Sequence, residues 1–478
     1  MTAFDTDFTL TIDGASVAGT STMDVLNPAS ERVIAQAPAA SRAQLDAAVD
    51  AARRAFPAWR ARPMAERQDM IRRMGECILE NLGPLTRLLT SEHGKPHADA
   101  ERELRGAAYW CAEHAGFELP VVETINGPER RSVTRRVPIG VVGAIAPWNF
   151  PITLSMWKVV AALVTGNTLV LKPSPFTPLT TLKLGELFKD IVPPGVLNII
   201  NGADELGPWM TEHAGIDKIA FTGSTQTGRR IMAAAGPTLK RLTLELGGND
   251  PAIVLPDVDV PTAARELFWA AFANTSQICI AVKRLYVHAD IYDAFSAALV
   301  DYAATVKVGD GAEQGTQLGP IQNRPQFERV CKLIEGAREQ GLTFLAGGDV
   351  DHARPGYFIP VTIVDNPPDD APVVAEEAFG PVLPLLKFTD VDEVVRRAND
   401  TEYGLGGSVW SRDLDRAAAI AEQLDCGTVW INETRFLSPH SAFGGHKQSG
   451  IGVENGMEGL LEYTNTQTVV VKAPVPQG

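Results

Sequence analysis

The 478-residue chain is as informative for what it lacks as for what it holds. No GxGxxG occurs, so the usual dinucleotide fingerprint is absent. Neither HExxH nor a GxSxG elbow is present, which removes the common signatures of zinc peptidases and serine hydrolases. Cysteines number five, scattered without CxxC spacing, so a disulfide framework and a zinc site are both disfavoured and no metal is expected. Basic residues are outnumbered, 43 Lys and Arg against 58 Asp and Glu, a net charge of −15 that disfavours nucleic acid or anionic membrane as a partner. Residues 1–20 hold no basic segment followed by an apolar run, so no secretory signal is expected, and a reducing, cytoplasmic setting fits best.

What is present points to a large globular α/β protein. Hydrophobic residues make up 45 % and charged residues 21 %, enough to bury two or three domain cores. The 21 residues from Val137 to Trp157 carry no charge, a length that would span a bilayer. Pro147, Asn149 and Pro151 interrupt it, however, and proline breaks a helix by removing a backbone donor. The stretch therefore reads as a buried strand (139–146), a proline-bounded turn and a helix (154–164) stopped at Gly166. Further strands are predicted at 168–172, 196–200, 218–222 and 241–246, separated by helices around 178–190, 204–213 and 225–235. This alternation implies a mostly parallel sheet covered on both faces. The pattern restarts near 262–305, which predicts a second α/β domain, while 46–89 is largely helical and the tail at 460–471 is β-like.

Single residues are ambiguous. "AFTGSTQTG" (220–228) joins a strand to a helix, a geometry that suits an anion at the helix N-terminus, but it also suits an ordinary turn. Cys279 in "FANTSQICIAVKR" reads as a small buried hydrophobe or as a nucleophile, and no histidine stands out as its partner. Glu245, ending a strand in "LELGGND", is a general base or a turn carboxylate. Asn149 is a ligand at a strand end or a turn residue.

Taken together, "PWNFP" (147–151), "LKPS" (171–174), "FTGST" (221–225), "LELGG" (244–248), "FANTSQIC" (272–279), "EEAFGPV" (376–382) and "FGGHKQSGIG" (443–452) resemble the motifs of the aldehyde dehydrogenase superfamily in order and spacing. The resemblance implies a Rossmann-like cofactor domain (1–118 and 141–247), an α/β catalytic domain (248–446) and a β oligomerisation arm (119–140 and 460–478) joining a homodimer or homotetramer. It implies oxidation of a small-molecule aldehyde to its acid with NAD or NADP, through a thiohemiacetal and a thioester on Cys279. Asn149 and the Cys279 N–H would hold the oxyanion, Glu245 would activate water, and Glu454 would relay a proton. Trp148, Lys172, Ser174, Gly223, Ser224, Leu246, Glu377 and Phe379 would hold the cofactor.

Departures from the family pattern carry expectations of their own. Pro175 stands where NAD-preferring members often carry a ribose-binding glutamate, so tolerance of NADP is expected. Ser276 replaces a glycine common in the family. Phe150, Leu154, Trp157, Ile278, Ile280, Leu437 and Phe443 would line the substrate tunnel, favouring aromatic or medium aliphatic aldehydes. Arg435 is expected at the tunnel mouth, exposed; pointing inward, it would instead favour a semialdehyde acid. Acyl transfer to coenzyme A is disfavoured because acylating relatives generally lack the glutamate seen here at Glu245. A catalytically retired nucleotide-binding relative is disfavoured because both Cys279 and Glu245 are retained.

Overall fold

The computed structural model describes residues 3–472, a mixed α/β chain built on two large, mostly parallel sheets. The first has a parallel centre of Leu197–Ile199, Thr168–Lys172, Val141–Ile145, Lys218–Thr222 and Arg241–Glu245, in that spatial order. Antiparallel strands flank this centre, Leu10–Ile12 and then Ala15–Val17 on one side and Gly450–Ile451 on the other. Every residue of Val141–Ile145, Thr168–Lys172 and Lys218–Thr222 is buried, as strands covered on both faces must be. The second sheet runs Thr343–Ala346, Thr362–Asp365, Val382–Phe388, Val282–His288, Asp250–Val254, Gly406–Trp410 and Thr428–Ile431, parallel except at its first pair.

The uncharged stretch resolves as strand Val141–Ile145, a turn, and helix Pro151–Val164. Proline at the first helical position needs no N–H there. The next free amides, of Ile152 and Thr153, donate to the carboxylate of Glu103, which reaches over from helix His97–His114. Gly166, at φ +92°, turns the chain out of the helix in a left-handed conformation that suits glycine. Among the described residues no helix is long and apolar enough to cross a membrane. The segment 46–89 is three helices rather than one, Arg42–Ala61, Met64–Glu80 and Leu82–His93.

Val121–Asn126 and Arg130–Pro138 form a hairpin, and Thr464–Lys472 pairs along the full length of its second strand. The tail is thus β from Thr464, whereas 460–461 end a short helix, Gly456–Leu461. Residues 473–478, the rest of the expected arm, lie outside the described residues. This three-stranded sheet leaves apolar side chains in solvent, Val121 at 69 % and Val470 at 60 % exposure, an unusual display for an isolated chain.

Candidate active site

Strand order in the first sheet reverses at Val141–Ile145. The chain adds two strands on one side, then returns to add two on the other. The loops leaving adjacent strands there diverge and open a crevice at the C-terminal ends, where open α/β sheets bind ligands. The loop after Ile145 carries Trp148, Asn149 and Phe150; Gly223 and Ser224 follow Thr222 and lead into helix Thr225–Ala235; and Glu245 ends the neighbouring strand. Cys279 lies just ahead of Val282–His288 of the second sheet. The two sheets approach closely at Gly248, where a Cβ would lie 2.7 Å from the Cys279 carbonyl oxygen. A side chain at 248 would push the cysteine loop away from the end of the glutamate strand.

That loop is strained. Asn274, Thr275 and Ser276 all adopt positive φ (51°, 56° and 59°), which costs L residues energy unless the surroundings enforce it. Enforcement comes from hydrogen bonds: Thr275 Oγ1 to the Gly319 carbonyl at 2.8 Å, Gln277 Nε2 to the Asn274 carbonyl at 2.9 Å, and the Gln322 amide to Gln277 Oε1 at 2.8 Å. Ser276 therefore occupies a conformation that glycine would adopt without strain. Lys283 Nζ donates to the carbonyls of Ile278 (2.9 Å) and Cys279 (2.6 Å) and lies 3.3 Å from Glu377, tying the loop to the crevice.

Asn149 is buried and spends one side-chain N–H on the Gln277 carbonyl, at 3.0 Å. Its own carbonyl accepts from Lys95 Nζ at 3.0 Å and from Asn274 Nδ2 at 3.2 Å. Lys95 in turn forms a fully buried ion pair with Glu103 at 2.5 Å. Glu103 thus caps the helix after Asn149 while holding the lysine that grips its backbone. The Cys279 N–H makes no hydrogen bond among the described residues, leaving a backbone donor open beside the thiol.

Glu245 is buried, and among the described residues neither carboxylate oxygen has a partner at hydrogen-bond distance, the Cys279 thiol being near enough only to oppose weakly the effect of burial. Burial pushes its carboxyl up to about 8, against the smaller opposing pull of Lys158. The Cys279 thiol is raised well above its ordinary value, first by burial and then by the negative charge of Glu245, with Lys283 opposing. The resting pair is thus a protonated thiol beside a carboxyl that exchanges its proton near neutral pH. Glu454 is a buried ion-pair member rather than a surface carboxylate. Its Oε1 accepts from Lys158 Nζ at 2.7 Å, and the same nitrogen donates to Thr222 at 2.7 Å.

All seven predicted tunnel residues line one cavity of about 330 Å³, together with Cys279 and Asn149. Trp157 stacks on Trp110 (5.5 Å between centroids) and meets Phe443 edge-on (5.9 Å). Arg435 is not the exposed residue expected at the mouth. It is half-buried in the wall of this cavity because its loop turns it inward at φ +61°. His440 faces elsewhere, paired with Glu113 at 2.7 Å.

The predicted cofactor residues divide into groups. Trp148 meets Phe379 edge-on at 5.4 Å, and Glu377 accepts from the Gly248 amide at 3.1 Å. A Cβ on Gly247 would lie 2.4 Å from Glu377 Oε2, so bare backbone is required there. The Gly223 amide donates to the Glu245 carbonyl at 3.0 Å, and the Leu246 amide to the Ser449 carbonyl at 2.9 Å. Ser224 caps the helix through its side chain, accepting from the Thr227 amide at 3.3 Å, and Ser174 accepts from the Phe176 amide at 3.3 Å. Lys172, brought by burial down to about 8, hydrogen-bonds only the Pro173 carbonyl among the described residues and keeps spare donors. Pro175 borders a second cavity that also holds Asp204 and Glu205, two carboxylates that the Pro175 departure alone does not reveal.

Sequence reasoning missed Lys95, Glu103, Trp110 and Lys158. The last had a visible signal, a lone lysine in an otherwise apolar helix, buried on every side.

Known proteins match the chain over nearly its whole length. The model of the aldehyde dehydrogenase family matches residues 16–469. A Pseudomonas protein described as a probable aldehyde dehydrogenase is 42 % identical over 97 % of this chain and 95 % of its own. Aldehyde dehydrogenase 1A1 of Gallus gallus is 38 % identical over 94 % and 90 %. The solved NAD+ complex of a Bacillus cereus aldehyde dehydrogenase superposes with a TM-score of 0.96 at 38 % identity, covering 98 % of this chain and 97 % of that one. With the match running through both sheets and the cysteine loop between them, the chain belongs to the aldehyde dehydrogenase family.

Proposed function

We propose that the protein oxidises an aldehyde to its carboxylic acid through covalent chemistry at Cys279, with NAD or NADP as hydride acceptor. The observation that carries this reading is the single cavity in which Cys279 meets Asn149, with Glu245, held near a pKa of 8, close enough to perturb the thiol directly. Loss of the thiol proton, with Glu245 as the available acceptor, frees sulfur to attack the aldehyde carbon. The unspent N–H of Asn149 and the Cys279 amide stabilise the oxygen as it gains charge. The bound cofactor supplies one thing, an acceptor for the hydride that leaves this carbon. Glu245 then takes a proton from the water that cleaves the thioester, releasing the acid and restoring the thiol. Lys158 and Glu454 offer the excess proton a buried route away from Glu245.

The residues fit the cofactor. Lys172 has spare buried donors, Glu377 stands against bare glycine backbone, and the helix opening at Thr225 offers its N-terminus to a pyrophosphate. We assign Trp148, Ser174, Gly223, Leu246 and Phe379 to the same site, with residues 1–118 and 141–247 as the cofactor domain and 248–446 as the catalytic one. The apolar cavity suits aromatic or medium aliphatic aldehydes. The exposed valines of the arm favour a homodimer or homotetramer, and five unpaired cysteines fit a reducing cytoplasm.

The test is formation of reduced nicotinamide by wild type and Cys279→Ala over a panel of neutral aldehydes, with each cofactor in turn. Turnover by wild type alone supports the reading. Turnover by both, or by neither while NAD binds, refutes it for this panel.

A further inference from the structure

The largely apolar cavity that holds Cys279 has five charged residues on its wall, the cations Lys95, Arg102 and Arg435 and the anions Asp99 and Glu103, and these do not balance. Lys95 is neutralised by Glu103 at 2.5 Å. Arg102 is paired with Asp99 at 2.6 Å, and the Asp99 charge also attracts Arg435 from beyond ion-pair distance. Arg435 makes no hydrogen bond and no ion pair among the described residues, and its Nε is shielded from solvent with nothing to donate to. A guanidinium carries five N–H donors and holds its charge at any physiological pH, so leaving one half-buried and unpaired is costly unless something else meets it.

Its position is built rather than incidental. Asn432 is tied to Ser411 by two hydrogen bonds, Ser411 N to Oδ1 at 2.9 Å and Nδ2 to Ser411 O at 2.8 Å. On the far side Trp430 Nε1 donates to the Phe436 carbonyl at 3.0 Å. Between these anchors Arg435 is held in the left-handed region, φ +61°, a conformation unfavourable for a residue with a side chain. Arg435 also borders an adjoining cavity of about 380 Å³, beside Trp269 and Gln317, which Cys279 does not reach. It therefore stands where the reaction cavity meets a second one that Cys279 does not line, and shares the first with the aromatic side chains of Trp110, Trp157 and Phe443.

We propose that Arg435 is an anion subsite for the far end of the substrate, so that the preferred aldehydes carry a carboxylate separated from the carbonyl by an apolar body. This rests on the aldehyde-oxidising reading above and narrows it. One surplus positive charge matches one carboxylate, and the planar fork of arginine meets carboxylate oxygens in pairs. The apolar middle of the cavity accepts the chain or ring that joins the two groups.

Two measurements test it. The first compares kcat/KM for matched pairs, 4-carboxybenzaldehyde with 4-methylbenzaldehyde and a series of ω-oxo acids with the corresponding alkanals, in wild type, Arg435→Leu and Arg435→Lys. The acid-to-neutral ratio is expected to exceed one in wild type. It should fall by about tenfold to a hundredfold in Arg435→Leu, the range for a lost charge-assisted hydrogen bond, and partly recover in Arg435→Lys. A wild-type preference for the neutral partners, or an unchanged ratio in Arg435→Leu, overturns the proposal. The second measurement needs no turnover: calorimetric titration of octanoate and octan-1-ol into the same proteins. Octanoate should bind wild type at least tenfold tighter than Arg435→Leu, with octanol unaffected; equal octanoate binding overturns the subsite even in a protein that oxidises no aldehyde. Arg435→Gln takes the place of leucine if that variant does not fold.

Discussion

Glu245 is expected to cost the protein stability in the pH range where the proposed mechanism needs it ionised. Its carboxyl is buried without a hydrogen-bond partner and titrates near 8 rather than 4.5. In the unfolded chain the same group ionises at its ordinary value, so between 4.5 and 8 the native state holds a proton that the unfolded state releases. A carboxyl raised in the folded state lowers stability as pH rises through that window, at about 1.4 kcal/mol per pH unit. From 4.5 to 7 this amounts to about 3 kcal/mol. Glu245→Gln, similar in shape and never charged, should therefore match wild type near pH 5 and exceed it by about 3 kcal/mol at pH 7. An unfolding entropy of about 2.1 cal/mol/K per residue turns that into a rise of about 3 °C in Tm for a chain of this length. Catalysis runs the other way. At pH 6, two units below the carboxyl's value, about 1 % of Glu245 is ionised, and thioester hydrolysis should fall to that fraction of its plateau. The assays are differential scanning calorimetry of both proteins from pH 5 to 8.5 and single-turnover hydrolysis across the same range. A Tm difference that does not change with pH, or hydrolysis in wild type that is flat from pH 6 to 9, would refute the reasoning.

Three further outcomes are expected. Lys95→Met leaves Glu103 charged and buried, so stability should drop by about 3–5 kcal/mol in chemical denaturation, and loss of the grip on the Asn149 backbone should lower kcat more than it raises KM. Asp204→Asn removes a carboxylate whose field reaches Lys172 and which shares a cavity wall with Pro175. The ratio of NADP to NAD dissociation constants, read by fluorescence quenching, should move severalfold toward NADP. Val470→Asp puts charge into the exposed apolar face of the arm, and sedimentation velocity should show smaller assemblies than wild type if this face joins subunits.

The elements most readable in the sequence were those whose burial writes a local pattern. Lys218–Thr222 and Thr225–Ala235 match their predicted spans, because a run buried on both faces and a capped amphipathic helix are each visible within a dozen residues. The seven residues expected to line a tunnel do line one cavity, and five of them lie within eight residues of Asn149 or Cys279, which made the group readable from those motifs. What escaped notice depends on contacts across long separations. Lys95 and Glu103 matter because they reach a turn about 50 residues away, and no local pattern distinguishes them from solvated charges. Arg435 was read as exposed because its inward direction comes from one positive φ, and arginine gives no hint of that conformation in the way glycine would. Asp204 lay hidden because its neighbour Pro175 is far along the chain and adjacent only through the pairing of parallel strands.

The antiparallel strand that closes the first sheet has a consequence for how the protein is made. Gly450–Ile451 pairs with Leu244 and Glu245, and Ser449 accepts from the Leu246 amide, so the Glu245 strand is an open edge until residues 449–451 exist. During synthesis nearly half of the chain follows Glu245 before its edge partner emerges. For that interval the nascent sheet presents unpaired N–H and C=O groups, the situation in which growing chains associate wrongly. The order of residues along the chain thus leaves the Glu245 strand without its edge partner while about 200 further residues are made, and a ribosome that stops within that interval releases a product with this strand unprotected.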